Sequence, residues 1–250
     1  MSKGYRQMKQ LWISDNFLDQ QLFCEVYSGY DDNIINRAYE IWNHAKNLIE
    51  QNDDTYSMSD AIWNLRRCLD QRTRTIEENY NLKQIPLLQK PKGYYELLEY
   101  YGVARPFIVK NLFSIRNDID HHDATPPKER CMELLDIVWY FLKATDRILQ
   151  EKKKDLFFSK EADDPYFVYF SMDYRHKDQI PFWGWFPKDG LWEQSALSAI
   201  PIQVQSVNTK NSLKGDYHKN RDDTDLCVHG YFQIDAVYYP KLIKRCLCEY

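Results

Sequence analysis

The sequence predicts an α+β protein whose two kinds of structure are segregated: a helical bundle over residues of roughly 30–152, then a small antiparallel β-rich domain. Three observations carry this. Apolar residues recur at spacings of three and four through most of the first 150 positions, which is the period of an amphipathic helix. Beyond Asp155 the pattern changes to short β-branched and aromatic runs between turn-forming stretches. The chain has 250 residues, 44% apolar and 28% charged, enough for one large or two modest domains with a real core. The division drawn is an N-terminal arm 1–30, a helical domain 31–154 and a β-rich domain 155–250.

Residues 1–30 are mixed in character and punctuated by Gly29-Tyr30-Asp31-Asp32, so they read as an arm with one short helix at most. From Asn33 to Gln51, Ile34, Ala38, Ile41, Trp42, Ala45, Leu48 and Ile49 mark the first helix. A second opens at Ser57-x-x-Asp60, which resembles a capping box. It continues through Met58, Ala61, Ile62, Leu65, Leu69, Ile76 and Tyr80. Pro86 and Pro91-Lys92-Gly93 break the pattern. A short helix, Tyr94–Tyr101, then stops at Gly102. Pro106 suits the first turn of a helix reaching about Asp120, with Phe107, Ile108, Leu112, Ile115 and Ile119 inward. After the loop His121-His122-Asp123-Ala124, Thr125-Pro126-Pro127 supplies an N-cap and proline in the first turn of the last long helix. Cys131, Leu134, Leu135, Val138, Leu142, Thr145 and Leu149 form its inner stripe. Lys152-Lys153-Lys154 closes it, where cations suit the helix dipole. The expected strands are Tyr166–Phe170, Pro181–Phe186, Ile200–Val207 and Leu226–Ile234, with a polar loop over Asn208–Asp225.

The balance of charge excludes a globally basic nucleic-acid wrapper. Net charge is −4, and a division at residue 154 leaves 22 basic against 23 acidic residues before it and 11 against 14 after. Contact with a polyanion therefore has to come from a local patch. The best candidate is Arg66, Arg67, Arg72 and Arg74 on the second helix, a weak RNA-backbone track that a solvated face with Asp and Glu partners would explain equally. The start, MSKGYRQMKQLW, has no apolar signal core, and no run approaches a membrane span, so a cytoplasmic protein without membrane contact is expected. Its six scattered cysteines are then expected to be reduced thiols. Cys246-x-Cys248 lacks the second pair of a zinc site. No G-x-S-x-G or H-E-x-x-H is present.

One stretch carries chemistry: Ser114-Ile115-Arg116-Asn117-Asp118-Ile119-Asp120-His121-His122-Asp123. Its Arg116, followed by the polar Asn117 and four residues later by His121, resembles the signature of the HEPN family. So does its place, at the end of one helix and just ahead of the final long helix of a bundle. Val138-Trp-Tyr-Phe-Leu142 looks like a group of bacterial HEPN proteins with a similar two-part arrangement. The resemblance covers about half the chain. It implies metal-independent endoribonucleolytic cleavage by a homodimer with a composite site, in phage defence or as a toxin, with no cofactor and no metal. By resemblance His121 is the general acid/base, Arg116 stabilises phosphorane charge and Asn117 orients phosphate or His121. His122 is an alternative catalytic histidine. The branch of the family regulated through a Tyr two residues after the His is set aside, because Asp123 stands there.

Geometry limits these residues independently. At 100° per residue, Arg116 and His121 lie about 140° apart on a continuous helix, whereas Asn117 and His121 are i,i+4 neighbours. One helix cannot converge Arg and His on a small site, so either the helix frays near Asp120 or a second copy faces the first, and a two-fold dimer is the commonest symmetric solution. An Arg116–Asp120 ion pair and a helix-terminating His121-His122 would account for the same residues without catalysis. In that alternative the chain is a non-catalytic dimerisation module whose β domain binds a protein or small-molecule ligand. Phe182-Trp183-Gly184-Trp185-Phe186 is the aromatic run open to two readings there, base stacking or core packing.

Overall fold

A computed structural model describes residues 9–27, 32–105, 110, 114, 126–175, 178–192, 198–209 and 221–248. The chain forms two compact units. One comprises Met1–Val26, Gln84–Leu88 and Lys153–Tyr250; the other comprises Tyr27–Lys83 and Gln89–Lys152. The fold is α+β, and its segregation is incomplete: the unit that holds the sheet also carries a C-terminal helix, Tyr239–Cys248. The first unit is discontinuous in sequence, because its sheet takes strands from both ends of the chain.

That sheet has eight strands among the described residues: β1 (Lys9–Ser14), β2 (Gln21–Tyr27), β3 (Lys152–Ser159), β4 (Phe167–Ser171), β5 (Gln179–Phe186), β6 (Leu191–Trp192), β7 (Ala199–Thr209) and β8 (Leu226–Gln233). Their order is β2-β3-β4-β5-β8-β7-β1-β6. The pairs β1–β6, β1–β7, β3–β4, β4–β5, β5–β8 and β7–β8 are antiparallel. The arm expected over residues 1–30 is thus corrected over 9–27: β1 pairs with β7 from Lys9↔Val204 to Ser14↔Ala199. Leu11 and Ile13 are buried while Trp12 and Ser14 are half-buried, the alternation that a strand with one inward face requires.

The buried face of this sheet is built on phenylalanine. Phe170 has Phe17, Phe158, Phe182 and Phe232 around it at centroid separations of 5.6, 6.1, 6.1 and 5.6 Å. Phe17 comes from the 3₁₀ turn Asp15–Asp19 that joins β1 to β2, so the N-terminal segment adds one ring to a cluster otherwise drawn from beyond residue 152. Helix α5 (Tyr239–Cys248) buries Leu242, Ile243, Cys246 and Leu247. Its entry is fixed by Asp235, whose Oδ1 accepts from the amides of Val237 (2.8 Å) and Tyr238 (2.6 Å). Arg245 ties α5 to the N-terminal segment by donating to the Leu18 and Gln20 carbonyls.

The second unit holds α1 (Asp32–Gln51), α2 (Thr55–Tyr80), α3 (Tyr94–Tyr100) and α4 (Lys128–Gln150). The inward residues expected for α2 and α4 are buried. Three local expectations need correction. Asp54, not Ser57, caps α2: its carboxylate accepts from the Ser57 amide at 3.0 Å and from the Ser57 hydroxyl at 2.6 Å. Those bonds favour the ionised form and hold the Asp54 carboxyl below its usual range. At α4 the cap is Pro127, with no side-chain bond, and Thr125 lies outside the described residues. Lys152-Lys153-Lys154 begins strand β3 rather than ending α4, which stops at Gln150. Lys153 is buried there, and Met172 donates to the Lys154 carbonyl; ladder pairing outweighs the modest favour of cations at a helix end. The helix expected over 106–120 lies outside the described residues except at Lys110 and Ser114, both helical.

A buried charge pins three helices together. Arg72 of α2 is 1% exposed, with Nη2 3.0 Å from Asp146 Oδ1 of α4. No guanidinium nitrogen completes a hydrogen bond among the described residues. Tyr39 of α1 donates to the other Asp146 oxygen at 2.5 Å, and its ring lies 5.4 Å from the Arg72 guanidinium. Burial and the adjacent carboxylate push the Tyr39 hydroxyl well above its usual range. Removing one partner strands a charge in low dielectric, which costs about 3–5 kcal/mol. Asp146→Ala is expected to lower stability by that amount in urea titration, and Arg72→Met combined with Asp146→Leu is expected to recover at least half of it.

Candidate functional site

The residues expected to carry chemistry fall into two groups. Arg116, Asn117, His121 and His122 lie outside the described residues; α4 begins shortly after them, at Lys128. The arginines of α2 are described, and they do not form one track. Arg72 is the buried ion-pair residue above, so its expected role on an RNA-facing surface is corrected. Arg66 is half-buried, with its guanidinium 5.4 Å from the Trp63 ring. Arg67 and Arg74 remain exposed and, seven residues apart, share a face. Exposed Asp70 stands between them on that face, which matches the solvated-face reading.

None of the six cysteines forms a disulfide. Burial raises the Cys227 thiol and pushes that of Cys68 up to about 12, the opposite of an activated nucleophile. Cys246 and Cys248 sit on α5, where residues two apart project about 160° from each other and cannot grip one ion. Among the described residues no helix is long and apolar enough to cross a membrane.

The structure assembles a site that periodicity alone does not show, on the face of the sheet opposite the phenylalanine core. Strand alternation sends Asp155 and Phe157 of β3, Phe167, Tyr169 and Ser171 of β4, Pro181, Trp183 and Trp185 of β5, and Cys227, His229 and Tyr231 of β8 to this side. The register then places them in rows: Tyr169 opposite Trp183 opposite His229, and Pro181 opposite Tyr231. The row Phe167–Trp185–Cys227 packs into a small buried cluster, with the Arg221 guanidinium 4.4 Å from the Trp185 ring. The next row remains half-open. Trp183 is held on edge by Phe167 (4.8 Å, 85°) and flanked by Tyr169 (5.7 Å). Tyr169 is itself anchored by donating to Asp155. His229 is exposed and lies parallel to Trp183, 6.0 Å between centroids and 11° between planes.

A cavity of about 270 Å³ opens over these rings, lined by Tyr169, Ser171, Pro181, Phe182, Trp183, Gln205, His229, Gly230 and Tyr231. Its far wall comes from a β-bulge in β7. The register slips between Val204 and Ser206, so Gln205 is unpaired and exposed at the rim, the re-aiming of a side chain for which bulges recur beside sites. Opposite the bulge β8 must carry glycine, because a Cβ on Gly230 would stand 2.2 Å from the Gln203 carbonyl oxygen. The run Phe182–Phe186 resolves accordingly: Phe182, Trp185 and Phe186 are buried, and of its aromatics Trp183 and Phe182 line the cavity. Ser171, Gln205, His229 and Tyr231 escaped the sequence reading because what unites them is cross-strand register, which requires knowing that β5 pairs with β8 and β8 with β7.

Comparison with protein-family models, with curated proteins and with solved structures found no match. Forcing a side chain at Gly230 drives β7 and β8 apart, an overpacking cost of about 1–3 kcal/mol. Gly230→Ala is expected to melt several degrees below the parent by circular dichroism, while Gln205→Ala, an exposed bulge residue, is expected to melt within a degree or two of it.

Proposed function

We propose that the protein is a metal-independent endoribonuclease of the HEPN type, working as a cytoplasmic homodimer in phage defence or as a toxin. The observation that carries this reading is the placement of Arg116-Asn117 and His121 directly ahead of α4, the last long helix of the helical unit. RNA supplies its own nucleophile, the 2′-hydroxyl. His121, as neutral imidazole, accepts that proton or delivers one to the leaving 5′-oxygen. Arg116 binds the phosphate oxygens through its planar fork and offsets the charge that builds there. Asn117, four residues before His121, orients that ring or the phosphate. The divergence of Arg116 from His121 on one helix calls for the second copy to complete the site.

A second reading has its own observation. The cavity on the β sheet, with its ordered aromatic wall, supports a ligand-binding function that needs no catalysis, the helical unit then serving to dimerise the chain.

The test is direct. Purified protein is expected to cut RNA in EDTA, leaving a 2′,3′-cyclic phosphate and a 5′-hydroxyl, and to spare DNA of the same sequence. His121→Ala and Arg116→Ala are each expected to lower the rate about 10²–10⁴-fold, while His122→Ala keeps a substantial fraction. Sedimentation is expected to show a dimer. Loss of cutting in chelator, equal cutting of DNA, or a monomer at micromolar concentration contradicts the reading.

A further inference from the structure

We propose that the cavity over Trp183 and His229 is a binding site for a single nucleobase, carried either by a free nucleotide or by an unpaired position of single-stranded RNA. The site lies wholly within the β unit, so the inference stands whether or not the helical unit cleaves RNA.

Four features select this ligand class. The first is shape. At about 270 Å³ the cavity falls just below the range of about 300–1,000 Å³ that takes drug-sized ligands and extended cofactors; it accommodates one flat ring system. The second is a prepared stacking surface. Trp183 and His229 are parallel to within 11°, and Trp183 cannot swing away because Phe167 abuts it edge-on and Tyr169 flanks it. Tyr169 is in turn tethered to Asp155. Aromatic side chains fixed in this way are what sequence-tolerant base stacking uses, because every base presents a π face.

The third feature is hydrogen-bonding capacity left open at the rim. Among the described residues the side chains of Ser171, Gln205 and Tyr231 engage no hydrogen-bond partner, and all three line the cavity with His229. The Gln205 amide carries a donor and an acceptor side by side, the arrangement that pairs with the edge of a base. It reaches this position only because the β7 bulge takes it out of the ladder. The fourth feature is charge. None of the nine lining residues is Lys, Arg, Asp or Glu, so the cavity suits the uncharged base of a nucleotide and leaves its phosphate in water. A phosphate- or sugar-phosphate-binding site would need the cations that are missing from this lining.

The experiment titrates the full-length protein by calorimetry with the four nucleoside 5′-monophosphates, with ribose 5-phosphate, and with a single-stranded 2′-O-methyl oligoribonucleotide that lacks the nucleophile for cleavage. At least one monophosphate or the oligonucleotide is expected to bind, and ribose 5-phosphate is not. Trp183→Ala is expected to weaken binding about ten- to hundredfold, and Trp183→Phe to retain most of it. Gln205→Ala keeps the stacking surface and is expected to flatten the preference among bases; because Gln205 is exposed, this variant reads the site even where Trp183→Ala fails to fold. Binding of the monophosphate alone assigns the site to a free nucleotide, and binding of the oligonucleotide alone assigns it to RNA. Binding that survives in a chain with no ribonuclease activity separates this site from the proposed catalytic one. The inference is overturned if ribose 5-phosphate binds as tightly as the nucleotides. It is equally overturned if nothing binds at millimolar concentration, or if a folded Trp183→Ala or Gln205→Ala chain binds every probe as the parent does.

Discussion

Strand β1 has to be held between β7 and β6, and most of the β unit depends on that pairing. Lys9–Ser14 contributes six consecutive partners to β7, and the turn that follows delivers Phe17 into the ring cluster around Phe170. Without this segment β7 would expose an unpaired edge over Ala199–Val204, and such an edge invites pairing with other chains. The phenylalanine core would also lose Phe17, one of the four rings around Phe170, and Arg245 would lose both carbonyls that anchor α5. The two ends of the chain must therefore meet for the sheet to be complete. The entropy of closing that loop grows only slowly with its length, and the intervening residues recover it by folding on their own helical core.

The point of insertion follows from the same topology. The helical unit leaves the sheet after β2 and returns at β3, and these two strands are neighbours. An insertion whose entry and exit share one edge region of a sheet disturbs little of the host. The sharp change at Lys152-Lys153-Lys154 is where the chain re-enters. A helix-favouring context gives way to a ladder in which Leu156 and Phe158 are buried and Asp155 opposes Ser171.

Which parts were legible in the sequence follows from which forces are local. Helices α2 and α4 were legible because the three-and-four spacing of Leu65, Leu69, Val138 and Leu142 states their inner faces within one segment. Strands β4, β5, β7 and β8 were legible from Val168, Phe182, Ile202 and Phe232 for the same reason. Strand β1 was not: KQLWIS holds only two buried residues, and its strand character comes from a partner at the other end of the chain. Arg72 read as surface because its type outweighed its position on the helix; Asp146, which makes its burial tolerable, is remote in sequence. The aromatic wall of the cavity illustrates the same division. Its residues are unremarkable one strand at a time, and become a site only when the register of β4, β5 and β8 sets Tyr169, Trp183 and His229 in one row and the β7 bulge adds Gln205. The Arg116–His121 motif lies outside the described residues, so its reading rests on residue type and position in the chain alone.

The central structural claim is that both ends of the chain build one sheet, and hydrogen–deuterium exchange on the full-length protein tests it most directly. The account predicts that the amides of Leu11 and Ile13 are protected to the same degree as those of Ile202 and Val204 and exchange with them as one cooperative unit, as partners in one ladder must. Exchange of residues 9–27 on the timescale of an unstructured arm, while β7 and β8 stay protected, would contradict it.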